Sequence, residues 1–484
     1  MTKARRHRLR VAFGDWQTPD ELARAVFAIL ARDSTPFAAV LEPTCGRGAF
    51  LVAAAAARPD AQLVGFDVSA EYVHAARERL AGRPATLAVA DFFRADWNAI
   101  VAELPEPFAI VGNPPWVTNS ALGAIEVANT PAKVNSARRA GLDALTGSSN
   151  FDISEWMLVR LLEAARERDF ELAMLCKATV ARRVIAVIAE RGWALEGELR
   201  SIDAARHFGA AVEAVLLRVR RARASQGTSS RWPVHASLDA RAPKACFGIV
   251  DGRTCSDLDQ FMASRALEGE AELEWRSGIK HDCADVMELA IDGEELVNGF
   301  GERVEVETER LYPFLKGSDV GNGRRVPRKR LIVTQRRLGE DTRALATSAP
   351  RTWRYLETHR ARLSARKSRI FEGQPPYALF GVGDYTFAPY KVAVCGLYKR
   401  LAFSVLAPID EKPVLVDDTC YFLPCGALAE AETLAAALNG ELARRFFEAR
   451  VFWDEKRPIG KALLRTLSLA ALLRAEGKAF PAGS

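Results

Sequence analysis

Residues 38–67 read AAVLEPTCGRGAFLVAAAAARPDAQLVGFD and contain a strand, a glycine turn, a helix and a second strand. The apolar run 38–41 predicts the first strand, and residues 48–57 predict an alanine-rich helix. Residues 62–66 predict a second strand that ends at Asp67. A strand, a helix and a strand in this order are typical of a parallel βαβ unit, so the stretch indicates an α/β fold.

Strands and helices keep alternating up to residue 219. The further predicted strands are residues 86–90, 108–111 and 171–176, and the further predicted helices are residues 21–30, 71–80, 155–168 and 180–191. Residues 197–202 and 212–219 are strand-like runs with no helix between them, which indicates a closing antiparallel hairpin. We therefore predict a Rossmann-like domain whose seven-stranded sheet is mostly parallel and ends in this hairpin.

The chain of 484 residues is long enough for more than one domain. Residues 220–231 are polar and rich in Arg and Ser, and within them we take residues 223–231 as a linker. The first domain is then residues 1–222 and the second is residues 232–484, whose less regular pattern predicts a mixed α+β fold.

Two clusters of positive residues lie in the second domain. The whole chain carries a net charge of only +6. Residues 324–337, however, contain seven Lys or Arg and no acid, and residues 351–369 contain seven more with one acid, Glu357. Such clusters favour a polyanionic partner, although a solvated charged face is the common alternative.

Several classes of protein are excluded by what the sequence lacks. No run approaches the roughly 18 apolar residues of a membrane span. Residues 1–7 are basic but no apolar segment follows them, so no signal peptide is expected. The eight cysteines, including the pair Cys420 and Cys425, show neither a disulfide framework nor zinc spacing. We expect a cytoplasmic protein without a bound metal.

Three features follow the carboxyl ends of predicted strands, the edge at which open α/β sheets bind ligands. Residues 42–50, EPTCGRGAF, form a glycine turn that lets the backbone approach a ligand closely. Asp67 can accept hydrogen bonds from ribose hydroxyls, with a helix N-cap as its alternative role. Asp91 can bind a purine amino group while Phe92 covers the ring. The absence of a GxxxxGK[ST] loop argues against a triphosphate, so a nucleoside cofactor is predicted.

The tetrad Asn113-Pro114-Pro115-Trp116 follows the fourth predicted strand. An exocyclic amine on a base is a poor nucleophile, because its lone pair is delocalised into the ring. Acceptance of its protons by the Asn113 side-chain oxygen and the Pro114 carbonyl would free that lone pair, and prolines hold such acceptors rigidly. Trp116 offers a flat face for base stacking. The alternative is a proline-rich turn that contains Asn and Trp by chance.

The tetrad resembles motif IV of amino-directed DNA methyltransferases, and the order of the other segments resembles the gamma class of that family. The matching segments are residues 17–19 (motif X), 42–50 (motif I), Asp67 (motif II), 91–92 (motif III), 150–152 (motif V), 172–179 (motif VI) and 207–210 (motif VIII). The resemblance implies transfer of a methyl group from S-adenosylmethionine to N6 of an adenine flipped out of double-stranded DNA.

The resemblance also assigns residues to the site. The cofactor-binding residues that it implies are Thr18, Glu42, Cys45, Gly46, Gly48, Asp67, Asp91, Phe92 and Asn113. The catalytic residues that it implies are Asn113, Pro114, Pro115, Trp116 and Phe208. Phe208 is expected to cover the base opposite Trp116, with an ordinary core position as the alternative.

Two residues depart from the family pattern. Trp116 stands where Tyr or Phe is usual, which preserves stacking but leaves the choice between adenine and cytosine open. Lys177 stands where proline is common in motif VI.

The second half resembles, more loosely, a TaqI-like specificity domain in residues 311–319, 417–422, 438–440 and 456–458. The resemblance implies that this half recognises the DNA target. The cations expected to bind DNA are Arg324, Arg325, Arg328, Lys329, Arg330, Arg336, Arg337, Arg366, Lys367 and Arg369. Residues 381–391, rich in glycine and aromatic residues, are expected to form a DNA-facing loop.

The expected function is that of a monomeric, site-specific adenine-N6 DNA methyltransferase of the restriction-modification type. No nuclease triad is found in the sequence, so a restriction endonuclease would be a separate chain. The alternatives left open are the same chemistry on cytosine N4, on RNA or on a protein glutamine, and a non-catalytic DNA-binding protein on the same scaffold.

Overall fold

A computed structural model describes residues 16–33, 36–117, 152–222 and 230–480. The chain divides into two compact units, Met1–Asp259 and Gln260–Ser484. The basic N-terminal residues 1–7, residues 150–151 of the motif V match and residues 223–229 of the predicted linker lie outside the described residues.

A single sheet runs through the first unit. Its strands are β1 (Ala39–Glu42), β2 (Gln62–Asp67), β3 (Ala85–Val89), β4 (Phe108–Gly112), β5 (Phe170–Lys177), β6 (Leu195–Ile202), β7 (Ala214–Arg221), β8 (Arg231–His235), β9 (Pro243–Val250) and β10 (Arg253–Cys255). Within the described residues their order across the sheet is β10-β9-β8-β6-β7-β5-β4-β1-β2-β3. The strands β1 to β5 pair in parallel, and β7 lies antiparallel between β5 and β6. The predicted α/β fold with a closing antiparallel hairpin is confirmed.

The helices of this unit form where the sequence places caps and apolar residues. They are α1 (Asp20–Asp33), α2 (Ala49–Ala57), α3 (Ala70–Arg79), α4 (Trp97–Ala102), α5 (Ile153–Ala165), α6 (Ala178–Glu190) and α7 (Ala204–Phe208). Ser69, Asp96 and Asp152 cap α3, α4 and α5, since their side chains accept hydrogen bonds from backbone N–H groups of the first turn. The strands β4 and β5 are buried almost throughout, as expected for parallel strands covered on both faces.

The prediction that no helix separates the last two strands of the hairpin is wrong, because α7 lies between β6 and β7. The Asp203 side chain accepts a hydrogen bond from the backbone N–H of Arg206 at 2.9 Å, which starts the helix. Gly209, with a φ of 67°, ends it. Five residues are too few to show a helical periodicity in the sequence.

The sheet also continues beyond the predicted linker, residues 223–231. The strand β8 pairs in parallel with β6, and β9 and β10 add antiparallel strands outside it. Trp232 of β8 is only 1% exposed, and a Cβ atom on Gly197 of β6 would lie 2.8 Å from its ring. The compact units therefore divide after Asp259, because the first strands after the linker complete the sheet of the first unit.

Buried charges join four neighbouring strands of this sheet. The Arg218 guanidinium contacts Glu171 at 2.5 Å and Glu198 at 2.6 Å, and His235 Nε2 lies 3.0 Å from Glu198. Arg200 Nε also donates to Glu198, at 2.7 Å. Burial alone would raise the pKa of Glu198, but the two arginines outweigh it and hold the pKa below its usual value. The Glu198 carboxylate is therefore ionised and paired with cations of the same sheet.

The second unit contains two smaller sheets. Their strands are β11 (Arg276–Ser277), β12 (Glu288–Asp292), β13 (Glu295–Val297), β14 (Leu311–Leu315), β15 (Lys329–Ile332), β16 (Tyr390–Cys395), β17 (Ser404–Leu406), β18 (Leu415–Val416) and β19 (Cys420–Cys425). In the part of the chain that the structure describes, the strand orders are β11-β19-β16-β17 and β13-β12-β15-β14-β18.

Short helices accompany these sheets. They are α8 (Leu258–Ala263, which begins in the first unit), α9 (Ala284–Met287), α10 (Gly317–Gly321), α11 (Leu345–Ser348), α12 (Pro350–Thr358), α13 (Arg360–Ser364), α14 (Leu428–Leu438), α15 (Glu441–Glu448), α16 (Lys461–Leu464) and α17 (Leu469–Ala475). Short 3₁₀ turns occupy Arg265–Leu267, Thr308–Arg310, Thr342–Ala344, Arg369–Phe371 and Asp384–Phe387. No helix within the described ranges is long and apolar enough to cross a bilayer.

Lys391 of β16 is buried in the second unit at 1% exposure. Its Nζ donates a hydrogen bond to the Ala388 carbonyl at 2.8 Å. Burial lowers the pKa of this amine from 10.5 to about 7, since the charged form is poorly solvated.

The buried charges of the first unit give a prediction for stability. Arg218→Leu removes a buried cation that pairs with two buried carboxylates, Glu171 and Glu198, so we expect a loss of about 3–5 kcal/mol in the free energy of unfolding. The matched variant Arg220→Leu, on the same strand, removes a half-exposed pair with Glu196 and should cost less than about 1 kcal/mol. Urea unfolding, monitored by hydrogen exchange of the backbone amides in β5–β7, measures the free energy of unfolding of both variants. Equal losses in the two variants would contradict the structural role of the buried Arg218 pairs.

Lys391 gives a prediction for pH dependence. Between pH 7 and 10.5 the unfolded chain binds this proton and the folded chain does not, so stability falls as the pH falls through that window. The slope is at most about 1.4 kcal/mol per pH unit. Lys391→Met should therefore stabilise the second unit at pH 7.5, by an amount that shrinks towards pH 10. Urea midpoints at several pH values test this, with the exposed Lys456→Met as the control that should show no such trend.

Candidate functional site

The carboxyl ends of four neighbouring strands meet at one cavity of about 400 Å³. The strands β3, β2, β1 and β4 are adjacent in the sheet, so the residues that follow them are brought to the same edge. Eight residues implied as cofactor-binding line the cavity: Thr18, Glu42, Cys45, Gly46, Asp67, Asp91, Phe92 and Asn113.

Asp67 holds the glycine turn in place. One carboxylate oxygen accepts a hydrogen bond from the Gly46 N–H at 2.8 Å, and the other accepts one from the Ser69 N–H at 2.8 Å. The helix N-cap is Ser69, whose hydroxyl accepts from the Tyr72 N–H, so the alternative role of Asp67 as that cap does not apply. Asp67 instead fixes the backbone on which a ligand at this edge would rest.

Residues 17–19 pack against the same turn. Gln17 Oε1 accepts a hydrogen bond from the Arg47 N–H at 3.3 Å. Gly46 has a φ of +49°, a left-handed conformation that favours glycine, and a Cβ atom there would also displace the end of the Gln17 side chain, 2.8 Å away. Gly48, in contrast, does not line the cavity, and its missing side chain makes room for Ala76 of α3.

The polar groups at the start of the turn are buried. Glu42 accepts a hydrogen bond from the Leu51 N–H at 3.3 Å. Burial raises the pKa of Glu42 well above its usual value, and the nearby negative charge of Asp67 raises it further. Burial likewise raises the pKa of the Cys45 thiol, and both carboxylates add to that effect. Cys45 is therefore a neutral lining residue and not a thiolate nucleophile.

An aromatic wall closes the side of the cavity near β3. Asp91 accepts a hydrogen bond from the Phe93 N–H at 3.0 Å, which fixes the turn. Phe92 packs on Trp97 with ring centroids 4.5 Å apart, and Phe93 packs on Trp156 at 5.2 Å. Phe93, which directly follows Phe92, also lines the cavity.

Asn113 has a fixed orientation. Its Nδ2 donates a hydrogen bond to the Trp16 carbonyl at 2.8 Å. Its Oδ1 is buried and has no hydrogen-bond partner among the described residues. A buried acceptor without a donor costs free energy, so the oxygen is poised for a donor that enters the cavity. Pro115 lines the cavity beside it, whereas Pro114 does not.

Trp116 and Phe208 are brought together, but not as two parallel faces. Their ring centroids are 5.1 Å apart and their planes are inclined at 74°, an edge-to-face contact. Both rings are buried, and neither lines the cavity. Trp16 completes the cluster, with its ring 6.5 Å from that of Phe208.

Lys177 has a structural role that its sequence position did not reveal. Its Nζ lies 2.8 Å from Asp152 Oδ2, and the other oxygen of Asp152 accepts the Ser154 N–H that caps α5. The ion pair therefore fastens the end of β5 to the start of α5, close to the edge of the sheet that carries Asn113.

Several residues of the cavity were not anticipated. Those that line it outside the implied set include Trp16, Arg47, Val68, Ser69, Tyr72, Arg79, Phe93 and Met157. Arg79 donates to the Arg47 carbonyl at 3.0 Å and to Asp20 at 2.7 Å, so it ties α3 to the turn and to α1. Three of them had a signal in the sequence: Arg47 lies inside the 42–50 segment, Phe93 follows Asp91 and Phe92, and Trp16 directly precedes the 17–19 segment.

Half of the cations expected to bind DNA are engaged within the second unit. Arg324 pairs with Asp319 at 2.9 Å, Lys329 with Glu288 at 2.8 Å, Arg330 with Asp410 at 2.9 Å and Arg337 with Asp384 at 3.0 Å, and Arg366 donates to the Ala378 carbonyl at 2.8 Å. Glu288 also contacts His281 and Lys316, and these hydrogen bonds outweigh its burial and lower its pKa to about 2. Lys329 is thus part of a structural cluster.

Four of the expected cations remain available. Arg325, Arg328, Lys367 and Arg369 are exposed, and none of them makes a side-chain hydrogen bond or ion pair with the residues that the structure describes. Arg336 is a special case: its guanidinium lies over the Phe387 ring, 4.1 Å from the centroid. No group of three or more His, Cys, Asp or Glu within the described ranges could hold a metal ion.

Comparison with known proteins identifies relatives. No family model matches the chain. The chain is 38% identical over 473 residues to the type II methyltransferase M.NspV of Nostoc sp., an alignment that covers 96% of this chain and 98% of that protein.

Solved structures extend the comparison. The type IIL restriction-modification enzyme MmeI, solved in complex with DNA, matches with a TM-score of 0.52 and 13% identity over 95% of this chain, which spans 65% of the MmeI chain. The M protein of the type I restriction enzyme EcoKI matches 45% of this chain and 47% of its own, with 13% identity and a TM-score of 0.33.

The likeness to MmeI shows the fold, and the alignment with M.NspV runs through both compact units. The chain therefore belongs to the type II methyltransferases, the DNA-modifying methyltransferases of restriction-modification systems.

Proposed function

We propose that the protein transfers a methyl group from S-adenosylmethionine to N6 of an adenine that is flipped out of a specific site in double-stranded DNA. The observation that carries the proposal is the orientation of Asn113. Because the Trp16 carbonyl holds its Nδ2, the amide oxygen is presented as a buried acceptor without a partner in the described structure. An exocyclic amino group is a donor of the required kind.

Asn113, with the carbonyl of Pro114 as the second acceptor, would hold both protons of the amino group. Lone-pair density on the nitrogen is then freed from the ring and becomes nucleophilic. Positioning and hydrogen bonding of this kind need no strong base. Pro115 restrains the backbone here because its φ is fixed.

Trp116 and Phe208 are the proposed stacking residues for the extruded base. Their edge-to-face contact fills the space between them, so the two rings must separate and turn parallel to admit a base. Base stacking on an aromatic ring contributes about 1–3 kcal/mol, which is of the same order as or larger than the roughly 0.5–1.5 kcal/mol of the aromatic pair that is lost. Stacking of the extruded base therefore compensates for the lost contact between the two rings.

The cavity residues suit a cationic nucleoside cofactor. S-Adenosylmethionine, when bound, supplies an electrophilic methyl group on a sulfonium. Asp67 and Asp91 would contact the ribose hydroxyls and the adenine amino group, Phe92 would cover the purine, and Glu42 and the Gly46 turn would face the methionine end. Thr18, Cys45 and Gly48 complete the proposed set; Gly48 would act only through the shape of the turn.

DNA as the polymer is supported by the relatives, since MmeI was solved in complex with DNA and M.NspV is a type II methyltransferase. The second unit would provide target recognition, and a duplex target requires base flipping. We propose a cytoplasmic monomer whose restriction endonuclease, if it has one, is a separate chain.

The proposed roles of Asn113 in methyl transfer and of Asp67 in cofactor binding can be tested separately with two variants. Asn113→Ala should lower methyl transfer to DNA at least a hundredfold and change the dissociation constant of the cofactor less than threefold. Asp67→Ala should weaken cofactor binding roughly 10- to 100-fold, because it removes hydrogen bonds to a charged group. Calorimetry with S-adenosylmethionine and transfer of a tritiated methyl group measure the two effects.

The exposed Asp60→Ala is the control and should leave both quantities unchanged. Digestion of the labelled DNA to nucleosides identifies the base, and N4-methylcytosine instead of N6-methyladenine would overturn the proposed target. Transfer by Asn113→Ala at the wild-type rate would remove the proposed role of that amide. Normal cofactor binding with no methylation of any DNA by the wild-type chain would favour the non-catalytic alternative.

The pairing of the cations predicts which of them contribute to DNA affinity. Loss of Arg325 and Arg328 together should weaken binding at every sequence and reduce the slope of log K against log salt by about 2, since two phosphate contacts release their counterions. Arg324→Ala with Arg330→Ala removes the same charge from the same segment, but these cations are neutralised by Asp319 and Asp410 and should contribute much less.

Fluorescence anisotropy of a labelled duplex from 50 to 300 mM salt, roughly the range in which such contacts dominate, compares the two double variants. Equal slopes for the two would show that internal pairing does not select the DNA contacts.

A further inference from the structure

Three separate segments of the second unit meet around Arg336. They are the loop after β15, strand β14 and the 3₁₀ turn Asp384–Phe387. The Arg336 guanidinium carbon lies 4.1 Å from the centroid of the Phe387 ring, and its Nη1 is 3.4 Å from the Tyr312 hydroxyl. The Tyr312 and Phe387 rings are themselves in edge contact, with centroids 5.4 Å apart. Two stretches that stood out in the sequence, the basic cluster 324–337 and the aromatic loop 381–391, are thus brought together.

The loop that carries Arg336 is held by two carboxylates, those of Glu340 and Asp384. The backbone N–H groups of Arg336 and Arg337 both donate to Glu340 Oε2, at 2.7 and 3.1 Å. The Arg337 side chain crosses to Asp384 and pairs with both of its oxygens, at 3.0 and 3.4 Å. Asp384 thereby joins the loop to the turn that supplies Phe387. The position of Arg336 is fixed from both sides.

Arg336 and Arg337 differ in whether their guanidinium groups are paired with a carboxylate. Arg337 is matched by a carboxylate, whereas the Arg336 guanidinium has no carboxylate partner among the described residues. Its planar face is covered by Phe387, and one N–H is directed at Tyr312. The other N–H groups lie in the guanidinium plane and point outward from its edge.

We propose that Arg336 determines part of the recognition sequence by donating two parallel hydrogen bonds to O6 and N7 of a guanine in the major groove. The proposal rests on the proposed function as a sequence-specific DNA methyltransferase. A planar fork held in one orientation matches these two acceptors, which no other base presents together. The stacking on Phe387 makes the match selective because the side chain is ordered before DNA arrives.

A phosphate contact fits this residue less well than it fits its neighbours. Phosphate contacts need only an accessible cation, and the exposed Arg325 and Arg328 already provide it. Leu338, two residues beyond Arg336, is 56% exposed on the same loop, so the loop also offers an apolar contact of the kind that packs against base edges.

The test uses the full chain and a set of duplexes that carry every single base-pair change in the methylated site of the wild-type enzyme. Arg336→Ala should lose roughly 10- to 100-fold of discrimination at one G·C pair in kcat/KM and keep the discrimination at the other positions. Arg336→Lys should lose it as well, because an ammonium keeps the charge but not the fork. Arg343→Ala removes an exposed arginine that pairs with Asp341 outside this cluster, and it should leave the sequence profile unchanged.

A wild-type profile that persists in Arg336→Lys, or a loss in Arg336→Ala that is uniform over all duplexes, would make Arg336 a phosphate contact and overturn the inference while leaving the proposed function intact. If the wild-type chain methylates no DNA, the proposed function fails and the inference falls with it.

Discussion

The hydrogen bond from Asn113 Nδ2 to the Trp16 carbonyl is the contact on which the candidate active site depends. It joins a residue at the end of β4 to a segment almost one hundred positions earlier in the chain. It determines which end of the amide faces the cavity, because an amide whose N–H is engaged must present its oxygen elsewhere. Asp67 plays the same part for the glycine turn, where it accepts the Gly46 N–H. In both cases a backbone group and a side chain of another segment fix each other, so the site is ordered before any ligand binds.

The same principle separates structural cations from available ones in the second unit. A run of positive residues in a sequence looks uniform, but the fold gives each member a different environment. Lys329 is committed to Glu288 and Arg366 to backbone carbonyls, whereas Arg325 and Arg328 project into solvent. A carboxylate neighbour removes most of the long-range attraction of a cation for a polyanion. Charge counts along a sequence therefore overestimate the surface that can meet DNA.

How far the sequence predicts the structure depends on the range of the interaction. The residues at the ends of β1 to β4 could be assigned to one cavity, because parallel strands bring their carboxyl ends to the same edge. The hydrogen bond from Asn113 to the Trp16 carbonyl could not be predicted, since every residue has a backbone carbonyl and only the fold brings this one to Asn113. The helix α7 could not be predicted because its five residues are too few to show a helical periodicity. The pairing of β8–β10 with the first sheet could not be predicted either, because a polar stretch looks the same whether or not the strands after it return to that sheet. The perpendicular contact of Trp116 with Phe208 depends on side-chain rotation, which residue type does not determine.

The return of β8 to the first sheet affects how such a chain can be recombined. If the second unit recognises the target, as proposed, exchange of that unit between relatives would change the target specificity. A crossover in the polar stretch before Arg231 would replace Trp232 and the strands that cover β6, and the incoming Trp or its substitute would have to fit against Gly197. A crossover after Asp259 would leave that packing untouched. Hybrids joined after Asp259, which keep β8–β10 with the first unit, should therefore fold more readily than hybrids joined before Arg231.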